Sequence, residues 1–392
     1  MKILLISYYF SPSRAIGAQR WSLLSEELKT KGCEVTILSG NWKGKKMPGV
    51  EYLGPELNYL PPISIVNDSY FDKIKHPSEF FRSISYDVLR RPNWVDTCNN
   101  WFDENREIKF DFIIASFSPT TSLISGNNAK KYWPDAKLIF DFRDLISIQG
   151  QKIKLPFLHK LDQFCDKYLT RNMDGFITIG ETTFSKASTF YNKPGLMCYN
   201  GIVGQPDFVP VEINKRKINI SYFGTLSRFR NPWDIAKLLN NFKKKHNIEI
   251  KLNIFSKDDP NRYKISNHND NLEVEYRGFV GGAELQKALD ATDVFLVLEN
   301  LHSNGNENVT GKIFEYLSYN KPIMAHCNKD SDIGNILKMT NSGKIVTNFK
   351  EIRTFFDEFV FSRMTINKLG CAKLTASNRA DEVLGFLERL GK

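Results

Sequence analysis

The chain has 392 residues, 41% of them hydrophobic and 25% charged, enough to bury sizeable cores and to divide into two domains. A formal charge of +10 favours anionic partners such as nucleotide phosphates or acidic lipid head groups. The basic residues are scattered, however, and no run resembles a nucleic-acid-binding arm, so no nucleic-acid partner is expected. The six cysteines form no Cys-x-x-Cys and have no histidine pair beside them at ligand spacing, which argues against a zinc module and fits reduced thiols in a cytoplasmic protein.

In chain order, KILLISYYF is a continuous apolar run, read as a strand buried on both faces rather than the start of a signal peptide. The loop SPSRAIGAQR, the helix WSLLSEELKTKG and the strand CEVTILSG complete a β-α-β unit. The loop carries one glycine, Gly17, and lacks the G-x-G-x-x-G of nicotinamide binders. Residues 41–110 are rich in aromatic, basic and proline residues and hard to read. Within them, segment 73–95 has the character of an amphipathic stretch that could lie on a membrane surface. FDFIIASFSP and AKLIFDFRDL read as strands, the second ending in Asp141, Arg143 and Asp144. LHKLDQFCDKYLTRNM reads as a helix, DGFITIG and KPGLMCYNGI as strands. No apolar run reaches the roughly 18 residues of a spanning helix.

After the polar stretch QPDFVPVEINKR, the opening pattern returns: KINISYFGTLSRFRNP echoes KILLISYYFSPSRAIG. The helix PWDIAKLLNNFKKKH follows, then the strands IEIKLNIFS and LEVEYRGFV, the helix GGAELQKALDATD and the strand VFLVLEN. The stretch ENVTGKIFEYLSYNKP predicts a helix of about three turns beginning near Thr310 and Gly311 and capped by Asn320. PIMAH and SGKIVTN read as strands and the C-terminal tail as one or two amphipathic helices. The expected architecture is α/β: two Rossmann-like, doubly wound domains facing across a cleft, over 1–205 and 206–375. A terminal helix over 376–392 packs back on the first.

Ligands of such sheets lie beyond the carboxyl ends of the strands, so the loops found there are the candidate site. Gly224 allows close backbone approach, with Thr225 beside it, and Arg228 or, preferably, Arg230 supplies a charge for a diphosphate. Gly278, Phe279 and Val280 offer backbone groups and an apolar face to a base. Lys312 adds charge at a helix start that is itself an anion site, and Glu315, three residues on, shares its face and can accept sugar hydroxyls.

With these stretches in hand, the sequence resembles glycosyltransferase family 4, retaining enzymes of the GT-B fold that use nucleotide sugars. The resemblance is carried by YYFSPSRAIGAQRWSLLSEELKTKGCEVTILSG, SYFGTLSRFR, VEYRGFVGGAELQKALDATDVFLVL and GKIFEYLSYNKPIM. IIASFSP and FDFRDL are similar to bacterial enzymes that build surface polysaccharide, such as lipopolysaccharide or capsule. The resemblance implies that Glu315 holds the donor ribose, that Glu307 contacts the transferred sugar, that Arg230 replaces a diphosphate-binding lysine, and that Gly17 lies near donor phosphates and acceptor. Three departures stand out. Gly224-Thr225 replaces a Gly-Arg pair, Asp141-Phe142-Arg143-Asp144 stands where many members have a cleft histidine, and Asn308-Val309-Thr310 replaces Gly-x-Pro.

The expected activity is transfer of a hexosyl or N-acetylhexosaminyl group from a UDP-linked donor to a saccharide hydroxyl. The acceptor is lipid-linked, the inner membrane face is the place of work, and no metal or other cofactor is required. The alternatives are a GT-B nucleotide-sugar 2-epimerase and a non-catalytic nucleotide- or glycan-binding protein.

Overall fold

The computed structural model describes residues 1–13, 16–57, 94–148, 156–202, 204, 206–213, 216–263, 272–301, 309–362 and 364–392. Glu307 lies outside them, as does nearly all of the amphipathic segment 73–95.

The chain forms two compact units, one of residues 1–201 with 376–392, the other of residues 202–375. The first contains β1 (Lys2–Ile6), α1 (Ile16–Thr30), β2 (Glu34–Trp42), β3 (Val50–Leu57), α2 (Trp94–Glu104), β4 (Phe112–Phe117) and α3 (Thr120–Tyr132). It continues with β5 (Lys137–Phe142), α4 (Pro156–Thr170), β6 (Gly175–Thr178), α5 (Glu181–Tyr191) and β7 (Gly195–Met197). All seven strands are parallel, in the order β3-β2-β1-β4-β5-β6-β7. The apolar runs read as doubly buried strands are just that: β4 is buried at every residue and β1 at all but its first.

The helix α3 escaped the reading because it presents Ser122, Ser125 and Gly126 to the sheet in place of an apolar stripe. A Cβ on Gly126 would come 2.8 Å from the Ala115 Cβ, so small residues are what let this helix lie close.

The second unit contains β8 (Lys217–Phe223), α6 (Pro232–His246), β9 (Glu249–Phe255), β10 (Glu273–Tyr276), α7 (Gly282–Asp290), β11 (Val294–Leu298) and α8 (Lys312–Leu317). Then come β12 (Ile323–His326), α9 (Asp332–Thr340), β13 (Gly343–Ile345), α10 (Phe349–Phe355) and α11 (Lys368–Ala372). Its six strands are also parallel, in the order β10-β9-β8-β11-β12-β13. The echo between KILLISYYF and KINISYF has a topological meaning. In each sheet the echoing strand, β1 or β8, stands beside the switch point where strand order reverses.

The last helix, α12 (Ala376–Gly391), belongs to the first unit. Its Ala380, Val383, Phe386 and Leu387 share a core with Ile3, Leu5, Trp21, Leu24 and Leu28. Phe386 fits over Gly175, where an added Cβ would meet its ring at 3.0 Å. Lys31 pairs with Asp381 at 2.7 Å.

Candidate functional site

In the second unit the switch point lies between β8 and β11, and their carboxyl ends deliver Gly224 and Glu299 side by side with the start of α8. After β8 a tight turn fixes the basic loop. Ser227 Oγ accepts from the N–H groups of Phe229 at 3.2 Å and Arg230 at 3.1 Å. Asn231 then caps α6, its side chain accepting from Trp233 N–H at 3.0 Å, with Pro232 in the first helical turn. Arg230 is thereby held at a helix entrance and Arg228 is left exposed.

Arg230, the cation expected to meet a diphosphate, is paired within the unit. Its Nε donates to Glu299 Oε2 at 2.9 Å and its Nη2 pairs with Oε1 at 2.9 Å, a bidentate fork. Glu299 is 4% exposed, and burial pushes its pKa up while Arg230 pulls it down. No described residue is bonded to Arg230 Nη1. Glu299 closes the strand VFLVLEN and sequence reasoning passed over it. The available signal was a lone carboxylate at the exit of a wholly apolar strand, where burial demands a partner.

Lys312 reaches back across the start of α8 and donates to the Phe223 carbonyl, at the last residue of β8. A Cβ on Gly224 would stand 2.7 Å from Lys312 Nζ and 2.9 Å from Tyr222 Oη, and the Gly224 φ of +157° is one that side chains rarely adopt. The glycine is therefore what lets the lysine lie along the strand end. Burial pushes the Lys312 pKa down to about 8; Glu315 and Glu299 oppose the shift, and Arg230 adds to it. Tyr222, whose hydroxyl donates to the Thr225 carbonyl at 2.7 Å, presents its ring to the same ammonium at 5.9 Å.

Glu315 is half-buried, and burial raises its pKa against the pull of Lys312. Its carboxylate accepts no hydrogen bond from any described residue; the nearby Ser318 N–H and Oγ are bonded to its main-chain carbonyl. It is thus an acceptor with open valences beside an ammonium.

The predicted three-turn helix is shorter than the sequence suggested. α8 has six residues, and the chain leaves it through turns that end at Asn320 in the left-handed region, φ 56°. β12 begins three residues on, so there is no length for a third turn. So short a helix has a small macrodipole, and anion attraction there must come mostly from Lys312 and Arg230. Thr310 and Gly311 form its first turn, their carbonyls accepting from Ile313 and Phe314 N–H. At the β10 exit, Gly278 adopts φ 70°, Phe279 is 65% exposed and Val280 half-buried. Lys257, at the β9 exit, covers the Phe279 ring at 4.7 Å. His326 is buried, with Nδ1 2.7 Å from the Val346 carbonyl, and serves the sheet.

In the first unit the four expected cleft residues divide. Asp141 is no cleft residue. It is fully buried at the end of β5, with Arg20 Nε at 3.1 Å and Nη2 at 3.1 Å on Oδ1, and Trp21 Nε1 at 2.7 Å and Ser116 Oγ at 2.9 Å on Oδ2. Arg20 also donates to the carbonyls of Cys198 and Tyr199. A strand end next to a helix start carries this buried pair because Asp141 is bonded on both oxygens and Arg20 donates through Nε and Nη1, its Nη2 being held to the carboxylate by charge alone. Gly17 and Arg143 do come together. A Cβ on Gly17 would fall 1.6 Å from Arg143 Nη1, and Arg143 donates to the carbonyls of Phe117 at 3.0 Å and Ser118 at 2.9 Å. Asp144 is exposed beside them.

No protein-family model and no curated protein matches the sequence. Solved structures do match. The apo form of the lipopolysaccharide outer core galactosyltransferase WaaB aligns over 99% of each chain at 12% identity, with a TM-score of 0.59. AviGT4, a glycosyltransferase involved in avilamycin A biosynthesis, aligns over 100% of this chain and 98% of its own at 11% identity, TM-score 0.51. The N-terminal domain of Candida albicans trehalose-6-phosphate phosphatase aligns over 100% and 95% at 12% identity, TM-score 0.51. The fold is GT-B. At these identities the likeness speaks for architecture alone, and the chemistry has to be argued from the second-unit site.

Proposed function

We propose that the protein is a retaining glycosyltransferase that moves a hexosyl or N-acetylhexosaminyl group from a UDP-linked donor to a hydroxyl of a lipid-linked saccharide, in surface polysaccharide synthesis at the cytoplasmic face of the membrane. The observation that carries this reading is the open carboxylate of Glu315 beside Lys312 and Arg230 at the β8/β11 switch point. Two cations and a glycine at a strand exit suit a diphosphate, a carboxylate one turn on that accepts no hydrogen bond from the described residues suits ribose hydroxyls, and the exposed Phe279 ring suits a base.

In the reaction, the bond between the anomeric carbon and the diphosphate oxygen breaks and a bond from the acceptor oxygen forms. The acceptor's proton passes to the departing diphosphate. Lys312 and Arg230 stabilise the charge that grows on the diphosphate, a contribution that typically decides such transfers. Glu299 holds Arg230 by its Nε and Nη2, which fixes where Nη1 points and makes Glu299 a positioning residue. The family resemblance implies that Glu307 contacts the transferred sugar.

The test is turnover of UDP-sugars with a saccharide acceptor, followed by anomeric analysis of the product. Glu315→Ala should lower turnover by about two orders of magnitude while leaving the fold intact. Full activity in that variant, or conversion of donor into an epimer without acceptor, contradicts the reading.

A further inference from the structure

The helix α4 packs Asp162, Asp166, Leu169 and Thr170 inward and leaves Lys160, Phe164, Lys167, Tyr168 and Arg171, just past its end, exposed. The spacing of those five residues places them within an arc of about 100° on one face. Phe164 is 68% and Tyr168 60% exposed, the two largest exposures of aromatic side chains among the described residues of the first unit. Isolated exposed apolar residues are ordinary, but two aromatic rings one turn apart, with three cations and no exposed acid on that arc, are a patterned surface. Two of the three cations also lie over rings. Arg171 stands 3.8 Å above Tyr168 and Lys167 5.0 Å from Phe190, a partly buried core residue at the edge of the patch. Lys167 and Arg171 are thus held beside apolar surface, and none of the three cations has an acidic partner among the described residues.

We propose that this face of α4 docks the protein on an anionic lipid bilayer, with Phe164 and Tyr168 entering the head-group region and Lys160, Lys167 and Arg171 facing lipid phosphates. Charge complementarity selects this occupant. Lysine is depleted from the centres of protein–protein contacts, yet two lysines flank these rings. An acidic membrane rewards aromatic rings flanked by lysine and arginine. No helix among the described residues is long and apolar enough to cross a membrane, so attachment here is from one side. The inference deepens the reading of a lipid-linked acceptor, and it is measured without turnover, so the two can fail separately.

The experiment is flotation of the full chain with vesicles of phosphatidylcholine, and with vesicles half of phosphatidylglycerol. Binding is expected only to the anionic vesicles and should weaken with salt. Each cation near the surface contributes about fivefold in partitioning, so Lys160→Gln with Lys167→Gln should lower it roughly 25-fold. Both side chains are exposed, so that pair should melt with the parent. Phe164→Ser with Tyr168→Ser should also release the protein, by removing its apolar contact. Activity on a soluble acceptor should be unchanged in both. Three results would overturn the proposal: equal binding to neutral vesicles, full vesicle binding by both variants, or light scattering that shows a dimer dissolved by the aromatic pair, which would make a second copy the occupant.

Discussion

Lys312 makes nucleotide affinity depend on pH in a direction that can be worked out. In the free protein Lys312 is a half-buried residue, and burial pushes its pKa down to about 8, below the ordinary lysine value of 10.5. The groups that face it are Glu315 on its own helix, Arg230 from the loop after β8, Glu299 from the end of β11, and the Tyr222 ring. A bound diphosphate brings further negative charge and should return the pKa at least to the ordinary range, about 10.4. Below pH 8 the lysine is charged with or without ligand, and affinity is level. Above pH 8 the free protein must take up a proton to bind, so affinity falls, approaching tenfold per pH unit. At about pH 9 the loss is roughly tenfold, or about 1.4 kcal/mol. Calorimetric titration of UDP between pH 7 and 9, in buffers of different ionisation enthalpy, reads both the affinity and the proton uptake. Lys312→Met should bind more weakly at pH 7 and lose the lysine-dependent slope. A slope that is the same in parent and variant, or no proton uptake at about pH 9, would refute the assignment of Lys312 to the phosphates.

Other consequences follow from the same contacts. Gly224→Ala places a Cβ 2.7 Å from Lys312 Nζ and 2.9 Å from Tyr222 Oη; stability measured by denaturant titration should fall by roughly 1–3 kcal/mol, the usual cost of overpacking, and UDP affinity should fall because the lysine must swing away. Asp141→Asn leaves Arg20 charged and under-partnered at 1% exposure; a loss of about 3–5 kcal/mol, near 10 °C in melting temperature by calorimetry, is expected without a specific effect on nucleotide binding. Asp166 accepts from Ser147 N–H, Ser147 Oγ and Tyr191 Oη, yet burial pushes its pKa up to about 6. Because that value is raised above the unfolded one, its contribution to stability is full below about pH 4 and lost as pH rises through 6. Asp166→Asn should therefore gain melting temperature relative to the parent between pH 4 and 7.

How far the sequence disclosed this protein depended on which signal each element carries. Strands buried on both faces announce themselves as apolar runs, and β1, β4, β5, β8 and β11 were all readable for that reason. The helices α3 and α5 were not, because α3 meets the sheet through serine and glycine and α5 buries only Thr183, Ala187 and Tyr191; α9 was passed over although it buries Ile333, Ile336 and Leu337. β3 was missed as well: it lies at the sheet edge, no residue of it is fully buried, and it carries Gly54 and Pro55. At the site, Lys312, Glu315 and Gly224 were legible because their chemistry is local to a strand exit and a helix start. The Arg230–Glu299 fork was not, since its partners are 69 residues apart and nothing in either stretch points to the other. The same holds for Arg20 and Asp141, 121 apart, where long-range pairing turned an expected cleft carboxylate into a buried one.

The account stands on nucleotide recognition by the second unit, and the most direct measurement is a structure of the protein crystallised with UDP. It should show the diphosphate between Lys312, the Nη1 side of Arg230 and the Gly224 main chain, with the ribose hydroxyls on Glu315. UDP bound away from the β8/β11 switch point, or a ribose that leaves Glu315 untouched, would contradict it.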